Sequence, residues 1–144
     1  MAIPWARSAQ GALLMVAERR AGKRFAGFTE WPGGRVEAGE APAAAALREL
    51  LEETGVTGVP AQTRLLMIHE GAGPRPIRFH VHLVHLPGLP QPRPLECANP
   101  RWLPAEQALA LRFPPDNQAI NRQVRAWLME SRPATAERRP SASP

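Results

Sequence analysis

Tyrosine is missing from this 144-residue chain, cysteine occurs once, at Cys97, and lysine occurs once, at Lys23. A lone cysteine cannot close an internal disulfide, which suits a reducing cytoplasm. Long apolar runs are missing too. The early stretch Ala12–Ala17 is too short to cross a bilayer and is followed, not preceded, by Arg19 and Arg20, so neither a membrane span nor an export signal is expected. No internal repeat is visible, and the length provides for one buried core without a second catalytic domain. With lysine nearly absent, seventeen arginines supply a net charge of +5. That balance attracts polyphosphates or nucleic acid without choosing between them.

Glutamate, by contrast, is concentrated in one place. Residues 33–56 read GGRVEAGEAPAAAALRELLEETGV. At about 3.6 residues per turn, a helix over 42–54 places Glu49, Glu52 and Glu53 at i, i+3 and i+4 on one face. The other face carries Leu47, Leu50 and Leu51. Such a helix docks its leucines on a core and leaves a hard-oxygen cluster suited to Mg2+ or Mn2+. The cluster works against its own helix, because like charges at these spacings cost roughly 0.2–0.5 kcal/mol per pair. Gly55 reads as a left-handed terminator, so Glu52 and Glu53 fall in the last turn, where the helix dipole disfavours each by roughly 0.3–1 kcal/mol. A conflict of that kind marks a site. Taken alone, ELLEE is more simply a solvated acidic face balanced by Arg48, but the upstream glycines and their spacing reverse that reading.

Gly34, Glu40, Arg48-Glu49-Leu50, Glu52-Glu53 and Gly55-Val56 match every fixed position of the signature box of the Nudix hydrolases, which this chain resembles. Trp31-Pro32-Gly33 is similar to the aromatic-Pro-Gly approach of many members. The resemblance is carried by residues 28–56, with general patterns only over 12–20 and 94–130. It implies an α/β fold of the Nudix type, an α/β/α sandwich around a central mixed β-sheet, and hydrolysis of a nucleoside diphosphate linked to a further group. It also implies that Glu49, Glu52, Glu53 and the carbonyl of Gly33 hold Mg2+ or Mn2+, and that Arg48 pairs with Glu40 to support the loop. Glu49 or Glu53 would orient or deprotonate the attacking water, or a more distant glutamate would. Members often carry that glutamate before a tryptophan such as Trp102, which selects Glu96 over Glu70 and Glu106.

Elsewhere the elements are read from pattern. Ala12–Ala17 is a buried strand, Thr63–Glu70 and Ile77–Leu86 are two more, and Arg101–Leu103 is a short one. Alternation of Phe79, Val81 and Leu83 with Arg78, His80 and His82 predicts one buried and one more polar face. Whether Ile3–Arg7 supplies an opening strand stays open. Pro42 suits the first helical position, although Ala41 before it forgoes about 1 kcal/mol of capping. A short helix is expected over Ala105–Leu111, and Asp116 is a candidate cap for a helix with Ile120, Val124, Trp127 and Leu128 on its apolar face. Residues 1–132 then make one domain, and 133–144, polar and proline-rich, are expected to be a disordered tail.

Among the remaining residues, Arg20 and Arg35 are selected from Arg19, Arg20, Lys23, Arg24 and Arg35 as the pair to contact substrate phosphates. His80, His82 and His85 read as strand surface, because no cysteine converges on them as a zinc site would need. Basic residues without regular aromatic interleaving do not argue for a single-strand binding groove. The chain lacks the tyrosine that diadenosine-polyphosphate hydrolases carry after the box. It also lacks the SQPWPFP array of NADH pyrophosphatases, and matches to coenzyme A or ADP-ribose pyrophosphatases are out of register. The expectation is a compact, cytoplasmic MutT-type enzyme, monomer or homodimer, that takes a (deoxy)nucleoside triphosphate or damaged nucleotide to monophosphate and pyrophosphate. The alternatives are an ADP-ribose/nucleotide-sugar or coenzyme A pyrophosphatase, an RNA 5′-end pyrophosphohydrolase, and a non-catalytic nucleotide- or RNA-binding protein.

Overall fold

The computed structural model describes residues 1–132, so the tail expected over 133–144 lies outside the described residues. Six strands form one mixed sheet: β1 (Ala2–Ser8), β2 (Gly11–Glu18), β3 (Thr29–Glu30), β4 (Thr63–Glu70), β5 (Arg78–His85) and β6 (Ala98–Pro104). Three helices accompany them: α1 (Pro42–Thr54), α2 (Ala105–Leu109) and α3 (Asn117–Glu130). The order is β3-β2-β1-β5-β4, with β6 also paired to β2. Only the β1–β5 pair is parallel; the other four are antiparallel. The opening strand that the sequence left undecided therefore exists, and it sits at the centre of the sheet.

Residue parity shows why this is a sandwich. On β1, β2 and β5, Ile3, Leu14, Val16, Val81 and Leu83 turn to one face, where they pack with Ile120, Val124 and Trp127 of α3 and Ala105, Ala108 and Leu109 of α2. Their neighbours Ala2, Met15 and Val84 turn to the other face, against Ala46 and Leu50 of α1. A strand covered on both sides cannot alternate between oil and water. The polar face expected for β5 is accordingly corrected: Val81 through Val84 are all buried, His82 among them at 5% exposure. Burial also pushes the His82 imidazole below its usual range and leaves its Nδ1 without a partner.

The pairing around β2 positions the glycine loop. β1 follows β2 as far as the Trp5–Leu14 pair, after which β3 takes up Ala17 and Glu18. Because Glu18 also pairs with Ala98 of β6, β1 and β3 must share the opposite edge of β2. The chain leaving β3 is therefore wedged beside the start of β1, and the Ala2 amide donates to the Pro32 carbonyl at 2.8 Å. From there it enters the glycine loop ahead of α1.

Helix α1 has the predicted bounds. Pro42 starts it, Ala41 offers no side-chain cap, and Gly55 ends it in the left-handed region at φ 73°. Asp116 does precede α3, but its carboxylate does not cap that helix. It accepts a hydrogen bond from the Ala72 amide at 3.3 Å instead, while the first amide of α3 is satisfied by the Pro114 carbonyl.

Candidate active site

Three segments meet where β3 runs into α1: the glycine loop, the acidic stripe of α1 and the loop over residues 87–97. The loop's hub is Arg48. Its Nε and Nη2 donate to Glu40 Oε2 and Oε1 at 2.8 and 3.0 Å, a bidentate pair. Its Nη1 donates to Glu49 Oε1 at 2.9 Å and Glu52 Oε2 at 3.2 Å, and Nη2 also reaches the Arg35 carbonyl at 3.0 Å. One guanidinium thus ties the loop carbonyl, the loop carboxylate and two helix carboxylates together, which its planar five-donor fork permits and a lysine could not match. The supporting pair expected from the sequence, Glu40 with Arg48, is in contact.

Hydrogen bonds from Arg48 hold the Glu40 carboxyl down to about 2. A carboxyl depressed in the folded state contributes stability that is present above its unfolded value and lost as pH falls through its folded value. The advantage of wild type over Glu40→Gln in urea midpoint should therefore be flat above the unfolded value of 4.5 and vanish as pH approaches about 2. An advantage that persists undiminished at the acid end would sink the clamp.

Glu53 differs from its neighbours. Its Oε2 accepts the Gly33 amide at 3.0 Å. Burial nevertheless pushes its carboxyl up to about 8, against that hydrogen bond, and the charges of Glu30 and Glu49 add to the rise. At the other end of the residue the Glu53 carbonyl, exposed at the helix terminus, accepts the amides of Leu95 and Glu96, each at 3.1 Å, and the Cys97 thiol at 3.4 Å. The Thr54 carbonyl takes the Arg93 amide at 2.8 Å. Loop amides thus supply the positive ends that α1 lacks in its last turn, which carries no basic residue.

Gly33 and Gly34 let the loop approach its neighbours closely. A Cβ on Gly34 would overlap the Glu49 carboxylate, and one on Gly33 would stand 3.0 Å from the Met1 Cα. Beside this loop opens a cleft of about 710 Å3 lined by Glu30, Trp31, Gly33, Gly34 and Arg35 on one side and by Phe79, Asp116 and Asn117 on the other.

The structure brings Gly33, Glu40, Arg48, Glu49, Glu52 and Glu53 together, and Arg35 lines the cleft. Arg20 does not line it; its Nη2 donates to the Leu95 carbonyl at 2.6 Å and pins the 87–97 loop. Glu96 is anchored to α1 through its amide, with its carboxylate exposed. Glu70 pairs with Arg78 at 2.6 Å, and Glu106 lines a separate cavity with Trp5 and Trp127. Sequence reasoning missed Glu30, whose half-buried carboxylate meets Arg19 at 3.3 Å, is pushed up by burial and raises Glu53 in turn. Its place directly before Trp31-Pro32-Gly33 was the available signal. Arg19 and Arg24, passed over in favour of Arg20, line the cleft, and Phe25, Asp116 and Asn117 were missed as cleft residues, since they come from segments with no fixed spacing to the box.

Among the described residues, no three acidic, histidine or cysteine side chains converge on one point, because Glu49 and Glu52 turn to Arg48 while Glu53 turns to Gly33. The donor set nevertheless suits a hard divalent cation. A half-buried carboxyl pressed by the charges of Glu30 and Glu49, on the same helix face as Glu52 and bonded to the glycine loop, is relieved by a divalent cation.

An α/β/α sandwich with an acidic helix beneath a glycine loop defines a class of phosphate-handling domain. The family model for the NUDIX domain matches residues 2–128, and the chain belongs to that family. An 8-oxo-dGTP diphosphatase of Haemophilus influenzae is 43% identical over 49 residues, 34% of this chain and 36% of that protein. The chain thus aligns with about a third of the length of the curated relatives it matches. A solved structure of MutT, from work on Aliivibrio salmonicida and Vibrio cholerae, is 28% identical at a TM-score of 0.70, covering 88% of this chain and 95% of that one. The Nudix hydrolase RenU of M. smegmatis, at 21% identity and a TM-score of 0.71 over 92% of this chain and 85% of its own, shows the same fold. Among the described residues, no helix is long and apolar enough to cross a membrane.

Proposed function

We propose that this protein is a nucleotide pyrophosphohydrolase that uses Mg2+ or Mn2+ to take a (deoxy)nucleoside triphosphate, or an oxidatively damaged one, to the monophosphate and pyrophosphate. The observation that carries the reading is Glu53, a half-buried carboxyl pressed by the charges of Glu30 and Glu49 and bonded to the amide of Gly33, which lines an arginine-bearing cleft. Glu49, Glu52, Glu53 and the Gly33 carbonyl would hold the metal. When bound, it neutralises the phosphoanhydride oxygens and makes a bound water acidic enough to attack phosphorus.

The chain's own groups do the remaining work. Arg48 holds Glu49 and Glu52 in place from below, and Arg35, Arg19 and Arg24 face the polyphosphate from the cleft wall. Glu49, or Glu96 from the loop tied to the end of α1, accepts the water's proton as it adds to phosphorus and the anhydride oxygen departs with the leaving group. Asn117, 8% exposed at the far wall, offers one amide donor and one acceptor to a base edge. The curated relatives' name, 8-oxo-dGTP diphosphatase, supports an oxidised purine as the base.

The test is a panel of nucleoside triphosphates, 8-oxo-dGTP, ADP-ribose and coenzyme A with Mg2+ or Mn2+ in isotopic water, products being weighed. Label in the monophosphate or the pyrophosphate of a triphosphate substrate identifies the phosphorus attacked. Turnover of no panel member, or turnover indifferent to chelation of the metal, overturns the reading.

A further inference from the structure

A second concavity, of about 410 Å3, lies behind the cleft wall and is lined by Leu109, Leu111, Arg112, Phe113, Gln118, Asn121, Arg122 and Arg125. None of its lining residues is acidic, and among the described residues none of its three arginines takes part in an ion pair. Two of the guanidiniums are already positioned: Arg125 Nη2 donates to the Leu109 carbonyl at 3.0 Å, and Arg112 lies over the Phe28 ring at 4.1 Å. Three cations held together without counter-charge repel one another, and a polyanion relieves that.

The groove is not isolated from the cleft. Arg112 covers Phe28, Phe28 stands 5.2 Å from Phe25, and Arg24 covers Phe25 at 4.8 Å; Arg24 and Phe25 both line the cleft. Phe25 is held there with φ at 59°, a left-handed conformation that a phenylalanine rarely adopts. Along the dividing wall, Phe113 of the groove packs at 5.1 Å on Trp31 of the cleft, and Trp31 donates to Asn121 of the groove at 2.9 Å. Two packed rings are thus flanked in space by two arginines, Arg24 on the cleft side and Arg112 on the groove side.

We propose that this groove binds the sugar-phosphate backbone of a single-stranded nucleic acid, and that the Arg24–Phe25–Phe28–Arg112 ladder leads its 5′ end into the cleft. Guanidiniums take the phosphates bidentately and touch no base edge, so the recognition is indifferent to sequence. Delivery of the 5′ end rests on the function proposed above; binding in the groove does not.

The experiment measures anisotropy of a labelled single-stranded oligonucleotide of about ten nucleotides bearing a 5′-hydroxyl, which offers no anhydride to hydrolyse. Arg112→Glu/Arg122→Glu is expected to weaken binding at least about tenfold and to flatten the salt dependence by about 1.4, at about 0.7 per lost phosphate contact. Hydrolysis of a free nucleoside triphosphate should be unchanged in that variant. Arg122→Gln, on the exposed side of α3, removes one contact without reversing charge and should weaken binding severalfold. Oligonucleotide affinity no greater than that for inorganic triphosphate, or unaltered in either variant, overturns the proposal. Wild-type protein that binds the oligonucleotide but hydrolyses no nucleoside triphosphate would instead sink the catalytic reading and leave the groove standing.

Discussion

Glu53→Gln is expected to lower turnover by about a thousandfold and yet leave the metal-free protein at least as stable as wild type. The loss follows from removing a charge the metal needs, within the range of about 10²–10⁴ seen for groups that handle the proton or its water. The stability follows from burial, which keeps the Glu53 carboxyl protonated up to about 8. A carboxyl raised in the folded state contributes stability fully present below its unfolded value of 4.5 and lost as pH climbs through about 8. Glutamine copies the protonated form, including the acceptor for the Gly33 amide. In metal-free buffer the variant's melting temperature should match wild type at mildly acid pH and exceed it increasingly toward pH 8. Saturating Mg2+ should reverse the order by raising wild type alone. A variant that keeps a tenth of wild-type turnover, or melts well below wild type without metal, would show that Glu53 is a structural acid and not a ligand.

The box could be read from the sequence because both of its constraints are local. Glu49, Glu52 and Glu53 share a face through helical spacing alone, and the αL termination at Gly55 follows from the residue itself. The Arg48–Glu40 pair came from the resemblance, and the structure shows why it forms: Glu40 lies just before α1 and Arg48 two turns into it, so the loop carboxylate meets the guanidinium across eight positions. The rest depends on contacts distant in sequence. Ile3–Arg7 is held as a strand between β2 and β5, and β5 pairs with β1 eighty residues on, at Ala2↔His82. The polar pattern of β5 misled because His82 is covered from both sides, a fact about neighbours and not about the strand. Arg20 and Arg19 are adjacent in sequence, yet β2 sends one to the Leu95 carbonyl and the other to Glu30 in the cleft. Nothing in a one-dimensional pattern separates them. The contact of Arg112 with Phe28 is likewise present only in space, across more than eighty residues.

Gly34→Ala is expected to cost at least about a hundredfold in kcat/KM, though the substitution adds a single methyl group and touches no charge. That methyl would occupy the place of the Glu49 carboxylate. Glu49 must then swing away, breaking its 2.9 Å bond to Arg48 and leaving the guanidinium to Glu40 and Glu52. A displacement of about 1 Å in a positioned catalytic group is enough for a loss of this size. The effect should be specific to contact. Gly39 has φ of 76° and no atom near a Cβ, so Gly39→Asn, which tolerates that conformation, should keep nearly full activity. Gly34→Ala should also weaken Mn2+ binding measured by calorimetry on the metal-free protein, because a ligand has been moved and not merely a loop loosened. Near-normal kcat/KM in Gly34→Ala would show that the Glu49 carboxylate is free to leave its Arg48 partner during turnover, and the role of base would then pass to Glu96 on the loop bound to the end of α1.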